Sequence, residues 1–216
     1  MMWMRTKLFL CFLALAMGLC LSGAAQSADL KRGESLYGLC EQCHGAEGEG
    51  SQMALAPAIA GMDEWYVVAQ LQNFKSGARG MHPADAGGLR MYPMSRSLKK
   101  EEDIEDVSAY VASLPVTNPE PVIVGGDPVN GAKLYALCQQ CHGAAGEGNK
   151  VMKSPALVGT NDWYLVTELG QFKKGIRGGN PANPNAVMMR GMSNTLADDQ
   201  AIKDVVAHIM TLQPAK

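Results

Sequence analysis

Apolar positions along this chain form a pattern that occurs twice. Trp65, Val68, Leu71 and Phe74 stand at every third residue, and Trp163, Val166, Leu169 and Phe172 repeat the spacing. Residues three or four apart share one face of an α-helix. The pattern therefore predicts helices over 63–74 and 162–172. Asp63 suits the first N-cap, and Asn161 or Asp162 the second, because a short polar side chain there can accept a free backbone N–H. Closing amphipathic helices are expected over 100–114 and 198–212, with acidic residues gathered at their starts, where the helix dipole is positive. Shorter helices are expected over 33–37 and 131–135. The stretches 77–94 and 175–192, rich in Gly, Pro, Asn and Met, read as long loops. Nothing alternates as strand, helix, strand, so the expected class is all-α.

The first residues follow a different pattern. Arg5 and Lys7 precede an apolar run over 8–21, and Ser22-Gly23-Ala24-Ala25 follows it. A membrane span needs about 20 apolar residues. A shorter run with a basic start and small residues behind it reads as an export signal. The expected division is a signal peptide over 1–28, cut between Ala24 and Ala28, a first unit over 29–114, a linker over 115–127 and a second unit over 128–216. The linker opens with prolines and ends at Gly125-Gly126. An exported chain of this kind is expected in the periplasm, and an uncleaved membrane-anchored form stays open as the alternative.

The two units match at a constant offset of 98 residues. The offset carries Cys40-Glu41-Gln42-Cys43-His44 onto Cys138-Gln139-Gln140-Cys141-His142. Cys-x-x-Cys-His is the attachment signature of c-type haem. On a helix these three side chains share one face. Two thiols can then form thioethers with one macrocycle while the imidazole ligates its iron. Of the six cysteines, Cys11 and Cys20 fall in the export segment. The other four all belong to the motifs, which leaves none for a disulfide or a thiolate ligand. The expected cofactors are two covalently attached haems.

The repeat also filters the sixth iron ligand. His82 matches Asn180 and His208 matches Tyr110, so a shared second histidine is disfavoured. Two methionine pairs recur, Met94 with Met192 and Met91 with Met189. Met94 and Met192 are the expected distal ligands and the other pair is the alternative. A metal-bound histidine usually donates its other ring N–H to an acceptor. Pro57 and Pro155, thirteen residues after each histidine, offer carbonyls for that role. Arg79 and Arg177 also match, and are candidates to pair with haem propionates, the alternative being plain surface charge.

The chain resembles the class I c-type cytochromes and, in its tandem form, the dihaem cytochrome c4 family. The resemblance rests on Gly33 and Tyr37 before the first motif, Pro57-Ala58-Ile59-Ala60-Gly61, Gln70-Leu71-x-x-Phe74-Lys75-x-Gly77-x-Arg79, and Tyr92-Pro93-Met94. It covers the matching residues of the second unit, with Glu168 in place of Gln70 and His208 in place of Tyr110. It implies two tandem class I cytochrome c-like domains, each wrapped around one haem. It also implies Pro57 and Pro155 as acceptors for the histidines, Met94 and Met192 as ligands, and packing of the first helix on the last through Gly33, Tyr37 and Tyr110. His208 is expected to loosen that packing in the second unit or to set its haem apart.

Charge adds little. Residues 29–126 hold 8 basic and 14 acidic side chains, and residues 127–216 hold 9 and 7. No basic patch points to nucleic acid. The expected function is a dihaem carrier passing electrons from a membrane cytochrome complex toward a terminal oxidase. The alternative is an electron-transfer subunit of a dehydrogenase or flavocytochrome complex. A haem enzyme is the lesser reading, because a recurring methionine leaves no open iron site. Peripheral association with a membrane stays open.

Overall fold

The computed structural model describes residues 27–212, so the signal expected over 1–28 lies outside the described residues except for its last two positions. Among the described residues there are nine helices. They are α1 (Leu30–Tyr37), α2 (Glu41–His44), α3 (Glu64–Ser76), α4 (Ala86–Ser95), α5 (Glu101–Ser113), α6 (Pro128–His142), α7 (Asp162–Lys173), α8 (Pro184–Ser193) and α9 (Asp199–Ile209). No helix among the described residues is long and apolar enough to cross a membrane.

Each half closes in the same way. Helix α1 packs on α5, and α6 on α9. The contact depends on a residue without a side chain. A Cβ on Gly33 would lie 2.2 Å from the Asp106 carbonyl oxygen, and one on Gly131 would lie 1.9 Å from that of Asp204. Beside the crossing, the rings of Tyr37 and Tyr110 are 5.3 Å apart. Tyr135 and His208 stand at the same 5.3 Å, so the histidine does not loosen the second crossing. Behind these contacts lie two cores whose members match by the repeat. Leu98, Ile104 and Val107 are buried in one, and Leu196, Ile202 and Val205 in the other. Burying one such side chain fully contributes about 1.5–3 kcal/mol.

The opening helix differs between the halves. In the second, α6 runs unbroken through Cys138 and Cys141 to His142. In the first, the α-helical bonding breaks between Tyr37 and Glu41 while Gly38 and Cys40 keep right-handed helical dihedrals, with Cys40 N–H bonding back only three residues to the Tyr37 carbonyl. Gly38 stands where the second half has Ala136. Glycine inside a helix costs about 1 kcal/mol relative to alanine, which accounts for the break.

The expected long loops are corrected. Their second halves are helices, α4 and α8, carrying the methionines. Asp85 caps α4 by accepting Gly88 N–H at 2.8 Å, and Asn183 caps α8 by accepting Ala186 N–H at 3.1 Å. Gly87, Gly88 and Pro93 argue against a helix on intrinsic propensity, yet both caps are met and the helices form.

Candidate functional site

Each Cys-x-x-Cys-His segment ends at a turn that is held from both sides. Gly45 and Gly143 leave the helix at φ 83°, a conformation that favours glycine. The Tyr37 hydroxyl donates to the Gly45 carbonyl at 2.7 Å, and the Tyr135 hydroxyl to that of Gly143 at 2.8 Å. Burial pushes the Tyr135 hydroxyl up to about 12 and Tyr37 higher still, so both remain donors.

The histidines follow one geometry. His44 Nδ1 lies 2.8 Å from the Pro57 carbonyl oxygen, and His142 Nδ1 lies 2.8 Å from that of Pro155. The rings are 7 % and 6 % exposed. Burial lowers both imidazole pKa values, against an opposing pull from the proline carbonyls. A neutral ring that donates from Nδ1 leaves Nε2 with a free lone pair, which is the form a metal takes. Among the described residues Cys40, Cys43, Cys138 and Cys141 form no disulfide. Burial, with the neighbouring Cys43 second, pushes Cys40 up to about 11, and burial also raises Cys138.

A cavity of about 330 Å³ opens beside the first motif, lined by Cys40, Cys43, His44, Phe74, Met91 and Met94 among others. A smaller cavity of about 120 Å³ adjoins the second, reaching His142, Pro155, Phe172, Arg177 and Met189. Both methionines of α4 therefore face the first cavity. On α8 it is Met189 that lines the second, with Met192 one turn further along the same helix. Backbone contacts pin the later pair alike: Ser97 Oγ donates to the Met94 carbonyl and Thr195 Oγ1 to that of Met192.

Each cavity is completed by the other half of the molecule. Trp163, Tyr164 and Thr167 of α7 line the first cavity, while Trp65, Tyr66 and Ala69 of α3 line the second. The apolar spacing that predicted these helices carried no sign that the tryptophans reach across.

Between the cavities, Arg79 and Arg177 are 8 % and 9 % exposed, so the surface-charge alternative is excluded. Arg79 donates to Gln70 at 2.6 Å, to Tyr164 at 2.9 Å and to Glu168 at 2.9 Å. Arg177 donates to the other Glu168 oxygen and to Gln70 at 3.2 Å. Burial alone would lower each guanidinium pKa. The neighbouring Arg177 also lowers that of Arg79, but Glu168 and the tyrosines outweigh these effects and both values are raised. Arg79 lines the first cavity and Arg177 the second, and the Nε of each is buried with no hydrogen-bond partner among the described residues. Gln70 and Glu168, which sequence reasoning met only as a departure between the halves, hold this cluster together.

The residues fit haem in both halves. Each has two cysteines, one buried imidazole and a cavity with apolar lining, and an unsatisfied cationic N–H on an arginine of that lining, which suits the carboxylate of a propionate.

Comparison with known proteins agrees. The family model described as Cytochrome c matches twice, over residues 30–115 and 128–213. Cytochrome c4 of Stutzerimonas stutzeri is 30 % identical over 204 residues, covering 90 % of this chain and 93 % of the relative. A thiosulfate dehydrogenase electron acceptor of Stutzerimonas stutzeri strain A1501 is 30 % identical, covering 88 % and 91 %. The crystal structure of reduced recombinant cytochrome c4 from Pseudomonas stutzeri superposes with a TM-score of 0.67 at 28 % identity, over 86 % of this chain and all of that one.

Proposed function

We propose a route for the electrons carried by this chain, which belongs to the cytochrome c family in the tandem, dihaem form of the cytochromes c4. It is an electron carrier with two covalently bound c-type haems. The haems supply one-electron exchange between ferric and ferrous iron. The route proposed runs in the periplasm, from a membrane cytochrome complex toward a terminal oxidase.

In this reading Cys40 and Cys43 tether the first haem, and Cys138 and Cys141 the second. His44 and His142 would ligate the irons, each held in its donor tautomer by Pro57 or Pro155. Met94 and Met192 would supply the second protein ligand to each iron. Their thioethers favour ferrous iron and so raise the potential relative to harder ligands. Arg79 and Arg177, whose Nε–H groups have no partner among the described residues, would pair with the propionates. The two units, 29–114 and 128–216, are joined by 115–127, whose Val122 and Ile123 N–H groups donate to Asp162 at 2.7 and 2.6 Å.

The observation that carries the reading is the crossed lining of the cavities. Each site is floored by the other half's middle helix, and both arginines share Glu168. This brings the two sites against one common wall and suits a chain that accepts one electron at each end and passes it on internally.

A second reading is favoured by the relatives named as thiosulfate dehydrogenase electron acceptors. There the donor is a dehydrogenase rather than a membrane complex. Stopped-flow reduction of the natively matured protein separates the two. Rapid reduction by quinol-reduced membranes with an intact cytochrome complex, and none by thiosulfate plus a thiosulfate dehydrogenase, supports the first. The reverse pattern overturns it.

A further inference from the structure

The acceptor of the His44 N–H is part of a longer chain of hydrogen bonds. The Pro57 carbonyl that faces His44 Nδ1 belongs to the same peptide group as the Ala58 N–H. That N–H donates to Asn161 Oδ1 at 2.6 Å, across 103 residues and from the first half into the second. Asn161 stands at the N-cap position of α7, yet its side chain makes no bond to its own helix. Ala58 is 1 % exposed. A Cβ on Gly50 would meet Ala58 N at 2.4 Å and Pro57 C at 2.6 Å, so the peptide is wedged on its other side as well. The matching position in the first half is Asp63. Among the described residues Asp63 makes no side-chain bond to the Ala156 N–H, and His142 bonds to Pro155 without the further link. The chain runs in one direction only.

We propose that Asn161 is a positioning residue through which the second half tunes the potential of the first haem. When the Ala58 N–H donates to Asn161, the peptide is polarised and the Pro57 carbonyl oxygen gains negative charge, since hydrogen bonds in series strengthen one another. A stronger acceptor draws the His44 Nδ1 proton further and makes the ring a more basic ligand. A more basic ligand stabilises ferric iron. Asn161 therefore lowers the first potential and leaves the second untouched. The inference rests on His44 as the proximal ligand, and a low-spin histidine-ligated spectrum checks that point separately from the tuning.

The test uses the full haem-loaded protein. Its first readout needs no variant: in the reduced state, the His44 Nδ1 proton resonates further downfield than that of His142. The second readout is a redox titration followed at the resolved haem-methyl resonances of each unit. Asn161→Leu removes the acceptor and shifts the first reduction equilibrium at least threefold toward ferrous, about 28 mV upward at 59 mV per tenfold. The second potential stays in place, and the Ala58 amide exchanges faster. Asn161→Asp keeps an acceptor oxygen and holds the first potential at or below the parent value. Equal shifts of both haems, or an unmoved first potential with a faster Ala58 amide, overturn the proposal. If Asn161→Leu does not fold, indistinguishable Nδ1 protons in the parent overturn it alone.

Discussion

An Arg79 Nη2 lies 2.9 Å from a carboxylate oxygen of Glu168, and both side chains are buried. Arg177 takes the other oxygen, so one anion from the second half holds two cations, one from each half. Truncating one partner of such a buried pair leaves an uncompensated charge, at a cost of about 3–5 kcal/mol. Glu168→Ala is expected to lower the urea midpoint accordingly. Glu168→Gln keeps the shape but removes the negative charge that favours ferric iron, so both haem potentials should rise. Urea unfolding and a redox titration check the two effects.

Acid should find the same cluster. Burial pushes the Glu168 carboxyl up, but Arg177 and then Arg79 overcome it and hold the folded pKa below the ordinary carboxylate range. The unfolded value is near 4.3 for a glutamate. A folded pKa below the unfolded one contributes stability that is present above the unfolded value and lost as pH falls through the folded value. The stability difference between the parent and Glu168→Gln should therefore hold steady from neutral pH down to about pH 5 and shrink below about pH 4. Urea midpoints across that range check it.

The methionine assignment is open to a direct comparison. Met91 and Met94 both line the first cavity, three residues apart on α4. If Met94 ligates, Met94→Ala makes one haem high-spin and lowers its potential, while Met91→Ala leaves both haems low-spin. Met192→Ala and Met189→Ala should behave likewise in the second unit. Optical and paramagnetic resonance spectra of the four variants decide between the pairs.

Helix crossing sets another expectation. With a Cβ on Gly33 only 2.2 Å from the Asp106 carbonyl oxygen, Gly33→Ala must push α1 from α5. Overpacking of this kind costs about 1–3 kcal/mol. Gly131→Ala should do the same between α6 and α9. Thermal unfolding of each haem-loaded variant, read by circular dichroism, checks the loss.

Much of this architecture was legible in the sequence because it was written twice. The constant offset paired Cys40 with Cys138, Pro57 with Pro155 and Arg79 with Arg177, and each pair occupies matching places. Helices α3, α5, α7 and α9 followed from apolar spacing, which reports burial whatever the partner. Helices α4 and α8 were missed because their glycines and Pro93 mask two caps, Asp85 and Asn183, that a search for short polar residues three places ahead of a backbone N–H would have found. The contacts across the halves were not legible. Periodicity says that Trp65 and Trp163 are covered, not which half covers them. Likewise nothing in the linear pattern joins Glu168 to Arg79 or Asn161 to Ala58.

A redox titration of the natively matured protein, followed by its optical spectrum, bears most directly on the reading of the chain as a dihaem methionine–histidine carrier. Two one-electron steps per chain are expected, with both haems low-spin and a methionine-to-iron charge-transfer band at the red edge of the ferric spectrum. A single haem per chain, or a high-spin, five-coordinate haem in either unit, would contradict it.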